Sequence, residues 1–364
     1  MSRKVREEEK NILHILEERI PEERVTQAVQ MKRRIHFSEE TYEVIEKSNI
    51  FISDEINGTC IALIRYGGTV HICMKTDLFT AGILKAESEI ENKDLLYGIG
   101  VLLANRKIVK IKAQISGYQI YDTLFAFENY IFSCRDVFGM FEEYLVFELT
   151  EEDFSIEYHE DLNRILCMLL INQRSDVYGS KFCQDIFELL TLESSRSIIA
   201  MFGAILQTTN ADLIFLQLYR CIEYLFIIQK ALYLSREYGI VIERILELLN
   251  FENIRFPEAS SIRSILSVYC SETIINQYYD YLLKNMNKQQ CKEGNKAEKV
   301  ADYIYETRCK IAHFKYGQEK LKDNDTLNES NGILCEVVKN IFQTLDAEIV
   351  EINEKLQTWN GIGK

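Results

Sequence analysis

The chain is short of the residues that break or staple a fold. Its 364 residues include 2 Pro, 16 Gly and a single Trp, which excludes collagen-like, proline-rich and linker-dominated architectures. Histidine is scarce too: His14, His36, His71, His159 and His313 never cluster, so no metal-ligand spacing is present and no metal or cofactor is expected. The 10 Cys form no C-x-x-C pair, which excludes zinc ribbons and thioredoxin-like motifs. Most lie in apolar runs, where a free thiol packs as a small hydrophobe. Positive charge is in deficit: 42 basic side chains face 56 acidic ones, net −14. A generally basic, non-specific nucleic-acid binder is thereby excluded, a locally basic site is not. No run is apolar enough for a bilayer. The longest, Leu213 to Leu234, is broken by Gln217, Arg220, Glu223, Gln229 and Lys230. The opening MSRKVREEEK never reaches the apolar stretch of a secretory leader, so reduced thiols and a cytoplasmic location are expected.

What is present is enough for a core: 47% hydrophobic and 27% charged residues. At roughly 150 residues per domain, about two domains are expected. Residues 1–47 read as a charged helical segment, with Ile12, Leu13, Leu16 and Ile20 at helical spacing and Pro21 as punctuation. From Asn49 the period changes. IFISD, GTCIALIRY and GTVHICMKT read as strands, with Gly67-Gly68 as a hairpin turn. RKIVKIKAQIS, YQIYDTLFAF, NYIFSC, EYLVFEL and FSIEYH continue the β pattern, which makes residues 48–160 a β-rich domain and a candidate sensor. Residues 161–364 return to helical spacing throughout, with LKDNDTLNES (321–330) as a polar connector and Asn331 as a helix start. The expected fold class is α+β, a β-rich N-terminal domain followed by an all-α bundle.

One window departs from the acidic background. Residues 281–320 hold 9 Lys/Arg against 5 Asp/Glu. Lys284, Lys288, Lys292 and Lys296 recur every four residues and would form one stripe on an unbroken helix. Such a stripe is either a solvated face or a track for phosphates. It leads into Arg308-Cys-Lys-Ile-Ala-His313, an R-x4-H pattern. Arginine is a permanent bidentate partner for phosphate. Histidine is the side chain suited to acid–base work near neutrality. Together they suffice to cleave RNA through its 2′-hydroxyl without a metal.

Context separates this pair from chance. Arg65 and His71 form an R-x5-H, but they flank the Gly67-Gly68 turn. Arg308 instead stands where the stripe Ala297, Val300/Ala301, Ile304, Ile311 calls for an apolar residue. A guanidinium there needs a partner or a purpose. Glu223 is the candidate partner, since Tyr219, Glu223 and Phe226 share a helix face. It would either orient Arg308 or His313 for chemistry or make an ordinary ion pair. Residues five apart on a straight helix diverge by about 140°, so Arg308 and His313 converge only through a bent helix end or a twofold dimer. Lys310, Lys315 and Tyr316 flank the motif, Lys292 and Lys296 precede it, and all five are candidates for RNA contact or plain surface. A metal-nuclease reading through Asp77, Glu91 and Lys93 would need strands where ESEIENKDLL reads as helix or loop.

The long helix bearing Glu223 (LYRCIEYLF), the helices after it and the later helix ending in RCKIAHF resemble the HEPN domain, in particular the ApeA-like group of bacterial antiphage proteins. The resemblance covers about residues 205–350, and more loosely the β-rich segment before it. It implies a metal-independent endoribonuclease with paired motifs at a homodimer interface, Arg308 acting on the phosphate and His313 as acid or base. It also implies a trigger, phage-derived or protein, read by the N-terminal domain. One position departs: Cys309 follows the arginine where many members carry a polar residue. The competing expectation is a non-catalytic HEPN-type dimerisation or interaction module that regulates a partner.

Overall fold

A computed structural model describes residues 2–24, 34–56, 59–75, 92–125, 131–149, 163–171, 179–251, 257–285, 295–313 and 324–362. The chain divides into two compact units, Met1–Leu162 and Asn163–Lys364. The first is mixed and the second helical, which makes the fold α+β.

In the first unit the elements are α1 (Arg3–Glu17), β1 (Arg34–His36), α2 (Glu39–Lys47), β2 (Asn49–Ile56), β3 (Thr59–Tyr66), β4 (Thr69–Lys75), α3 (Lys93–Asn105), α4 (Gly117–Ile120), β5 (Ile131–Ser133), α5 (Cys134–Phe138) and β6 (Leu145–Leu149). Strands β2, β3, β4 and β6 form an antiparallel sheet in that order, and β1 pairs in parallel with β5. The expected hairpin turn between β3 and β4 is made by Gly67 and Gly68, both at positive φ (61° and 89°), as a tight turn between twisted strands demands. Helix α1 buries Val5, Ile12, Leu13 and Leu16 in the same core as Ile99, Leu103, Phe132 and Phe141, so residues 1–47 are part of this unit rather than a separate segment. The buried carboxylate of Glu9 accepts from Ile35 N at 2.7 Å and Arg34 Nε at 3.2 Å, which pins β1 to α1.

Three expectations for this unit are corrected. RKIVKIKAQIS is not a strand: its regular pairing is confined to a bridge between Ile111 and Phe141, and Val109 and Ile111 enter the core from an irregular path. The start of YQIYDTLFAF is helical. Ser116 Oγ accepts from Gln119 N, and Gln119 Oε1 accepts from Ser116 N, a reciprocal cap that nucleates α4. Inside the β-rich stretch lies α3, capped by Asn92, whose side chain accepts from Asp94 N and Leu95 N. FSIEYH lies outside the described residues.

The second unit holds α6 (163–171), α7 (Ser180–Leu190), a 3₁₀ turn (Glu193–Ile198), α8 (Ile199–Leu206), α9 (Ala211–Tyr238), α10 (Ile242–Phe251), α11 (Glu258–Tyr269), α12 (Glu272–Asn285), α13 (Lys296–Ala312) and α14 (Asn324–Ile362). Helix α9 packs against α8, α10, α11, α13 and α14 and buries Phe215, Leu218, Cys221, Ile222 and Leu225. Asn210 caps its start and Gly239, at φ 63°, ends it. Lys339 of α14 reaches Asp185 and Glu188 of α7 at 2.5 and 2.9 Å. Tyr303 of α13 meets Tyr278 and Tyr281 of α12 edge-on, with ring centroids 5.9 and 6.2 Å apart. That contact sets the depth of the helix carrying Arg308. Among the described residues no single helix is long and apolar enough to cross a membrane.

Two corrections concern this unit. Asn324–Ser330, expected as connector, form the first turns of α14, and Ser330 is buried against the Tyr278 hydroxyl at 2.8 Å. The lysine stripe is broken: α12 is described as far as Asn285 and α13 begins at Lys296 under an Asn295 cap, so Lys284 and Lys296 sit on different helices. Lys288 lies outside the described residues.

The close approach of α2 and α3 gives a test. A Cβ on Gly98 would lie 2.5 Å from Val44 Cγ1 and 2.6 Å from Val44 Cβ. A β-branched side chain cannot rotate out of that position. Gly98→Ala should therefore lower stability by about 1–3 kcal/mol, despite the gain of roughly 1 kcal/mol in helix propensity. Thermal unfolding of Gly98→Ala and of Gly98→Ala/Val44→Ala checks this, and the double variant should recover part of the loss. A raised Tm for the single variant would refute the packing.

Candidate active site

Arg308 sits one turn before the end of α13, on the line set by buried Val300, Ala301 and Ile304. Its side chain keeps 23% of its exposure. It faces α9 and the first turn of α11. Nη2 lies 3.7 Å from Glu223 Oε1 and 3.6 Å from Glu258 Oε1. The guanidinium carbon stands 5.5 Å from the ring centroid of Tyr219, one helical turn before Glu223. The Tyr219 hydroxyl donates to the other oxygen of Glu258 at 2.9 Å. Three helices thus converge on one cation.

The electrostatics follow from this packing. Partial burial works against the charge of Arg308, but Glu258, Tyr219, Cys309 and Glu223 together outweigh it and raise its pKa. Burial pushes the Glu223 carboxyl up, Arg308 pulls it back down, and Glu258 pushes it up again as a like charge. The Tyr219 hydroxyl is raised by burial and by the adjacent carboxylates. Cys309 is half-buried.

The expected pairing of Arg308 with Glu223 is present. Glu258 is an additional partner that sequence reasoning missed. The signal that could have found it is an acidic first-turn residue after Pro257, though only the placement of α11 shows what it faces. His313 is the residue at which α13 stops. Its backbone N–H donates to the Cys309 carbonyl oxygen at 3.0 Å, its backbone leaves helical geometry (φ −112°, ψ 26°), and its side chain is exposed. Among the described residues no hydrogen bond or ion pair joins His313 to Arg308, Glu223 or Glu258. Lys310, two residues after Arg308, is exposed.

Lys296 is at the other end of α13, about 18 Å along the axis, where its ammonium donates to Asn276 Oδ1 at 2.6 Å and stands 5.6 Å from the Tyr279 ring centroid. It borders a cleft of about 290 Å³ between α11, α12 and α13 that is separate from Arg308. Lys292, Lys315 and Tyr316 lie outside the described residues. Among the described residues no group of His, Cys, Asp and Glu could hold a metal ion.

No protein-family model, curated protein or solved structure matches this chain. The reading of the site rests on its residues.

Removing the cation exposes its role. Arg308→Ala leaves Glu223 and Glu258 facing each other with the weaker pull of Arg220 on Glu223 remaining. The loss should be about 1–2 kcal/mol near neutral pH. Without Arg308 the Glu223 carboxyl is raised further above its unfolded value, so the folded variant binds more protons and its stability falls as pH rises through that raised pKa. The deficit should therefore be full at neutral pH and shrink towards pH 4, and Glu223→Gln should relieve it. Unfolding curves across that pH range decide the matter; a deficit independent of pH would refute the carboxylate pairing.

Proposed function

We propose that the chain is a metal-independent endoribonuclease that cuts RNA through the ribose 2′-hydroxyl. The observation that supports this best is a partly exposed guanidinium pinned from one side, on the same helix end as an exposed imidazole. Nη2 of Arg308 is taken up by two carboxylates at 3.6 and 3.7 Å, and the rest of its fork can meet phosphate oxygens. His313 lies five residues on, about 7.5 Å further along the axis.

In this reading the 2′-oxygen attacks phosphorus while the bond to the 5′-oxygen breaks. The products are a 2′,3′-cyclic phosphate and a 5′-hydroxyl. One imidazole takes the proton from the 2′-hydroxyl and a second, protonated one delivers a proton to the leaving oxygen. Arg308 stabilises the charge on the phosphoryl oxygens. The second imidazole is taken to be His313 of a second copy, so a homodimer is part of the proposal. The RNA, the trigger and a cytoplasmic role in antiphage defence or as a toxin-like effector belong to it as well. The acidic body suits such an enzyme, because weak background attraction to RNA lowers idle cleavage.

A second reading is favoured by the same ion pairs. An arginine already matched to two carboxylates can simply lock three helices, leaving a non-catalytic HEPN-type interaction module.

The two readings part in one experiment. Purified protein is incubated with RNA in EDTA, with the matching 2′-deoxy strand, and as the His313→Ala and Arg308→Ala variants. The ribonuclease reading expects cleavage of RNA alone, lost at least 100-fold in both variants. His313→Ala is the cleaner probe because the side chain is exposed. Cleavage that survives in both variants, or that EDTA abolishes, would refute the proposal.

A further inference from the structure

We infer that Glu258 and Tyr219 are positioning residues for the Arg308 guanidinium, a deepening that rests on the ribonuclease reading for its catalytic consequence but not for its geometry. Glu223 alone would leave Arg308 under-determined. At 3.7 Å that contact is an attraction without the directionality of a short hydrogen bond, and a long side chain held by one such contact keeps its rotamer freedom. Glu258 adds a second carboxylate at 3.6 Å on the same nitrogen. Its own aim is fixed, because its other oxygen accepts the Tyr219 hydroxyl at 2.9 Å.

Tyr219 acts twice. Its hydroxyl fixes Glu258, and its buried ring, 5.5 Å from the guanidinium carbon, supplies a floor of negative π density. The guanidinium is therefore constrained on its Nη2 corner and on one face. Both carboxylates meet the fork at Nη2. Nε and Nη1 lie on either side of Cδ and share no edge, so each can meet a phosphate oxygen singly. Glu258 touches neither phosphate nor ribose in this arrangement. It acts through Arg308. The opposite role, a carboxylate that blocks Arg308 from its substrate, predicts the opposite sign on removal.

The test uses the full chain as parent, Glu258→Ala, Glu258→Gln and Tyr219→Phe. Two readouts are taken: kcat and KM for RNA cleavage in EDTA, and the NMR order parameter of the Arg308 side-chain Nε–H. Positioning expects kcat to fall 10- to 100-fold in Glu258→Ala with KM changed less than about threefold, since misalignment costs turnover more than attraction. Glu258→Gln keeps an oxygen for the Tyr219 hydroxyl and should regain at least tenfold over the alanine variant. Tyr219→Phe keeps the ring and should fall between them. The Arg308 order parameter should drop below the parent's value in Glu258→Ala. An unchanged order parameter, or a faster Glu258→Ala enzyme, overturns the inference. A parent that cuts no RNA while its Arg308 loses rigidity in Glu258→Ala overturns only the ribonuclease reading, so the two failures are distinguishable.

Discussion

A guanidinium set into the apolar line of α13 is the constraint on which the helical unit turns. A partly buried charge costs several kcal/mol unless it is matched nearby. Here the match comes from residues far apart in sequence: Tyr219 and Glu223 on α9, Glu258 on α11 and Arg308 on α13. Satisfying it requires those three helices to hold one register. Apolar burial along α9 supplies the cohesion, of order 25 cal/mol per Å², but it tolerates sliding. The directional Tyr219–Glu258 hydrogen bond does not.

The placement also suits the helix ends. Glu258 lies in the first turn of α11, where the exposed amide dipoles favour a negative charge, and Arg308 lies near the end of α13, where the carbonyls favour a positive one. Edge-on contacts between Tyr303 and the α12 tyrosines hold α13 from the other side. Arg263 of α11 and Asp302 of α13, 2.7 Å apart, add an exposed tie between the same two helices, one that contributes little by itself. Arg308 is thus fixed by its surroundings before any ligand arrives.

The sequence made some of this legible. Arg308 stands out because it interrupts an apolar stripe of period 3.6, and Glu223 because it shares a face with Tyr219 and Phe226. Both signals are local to one helix. Glu258 has no such signal, since its meaning depends on how α11 packs on α9. In the first unit the misreadings share a cause. Period separates strand from helix only where one face meets water. Gly98–Ala104 of α3 is buried on every residue, so its helical period is invisible. Val109 and Ile111 alternate with lysines as a strand would, but they reach the core from an irregular segment. The lysine repeat failed differently: four-residue spacing persists in sequence whether or not one helix carries it, and the Asn295 cap starts a new one.

The charge at the site is out of balance for a polyanion. Arg308, Glu223 and Glu258 sum to one negative charge. A phosphate held on Arg308 is attracted by that one cation and repelled by the two carboxylates behind it, so the cluster as a whole gives a polyanion little net attraction. In the ribonuclease reading this must be offset by cations outside the cluster, among them Arg220, whose charge already acts on Glu223, and exposed Lys310. A single imidazole cannot both accept the 2′-hydroxyl proton and donate to the leaving oxygen in one concerted step. On this reading the proton count calls for a second imidazole, which a second copy of the chain would bring to the linkage. A lone chain would then lack its second imidazole, so on this reading assembly itself governs activity.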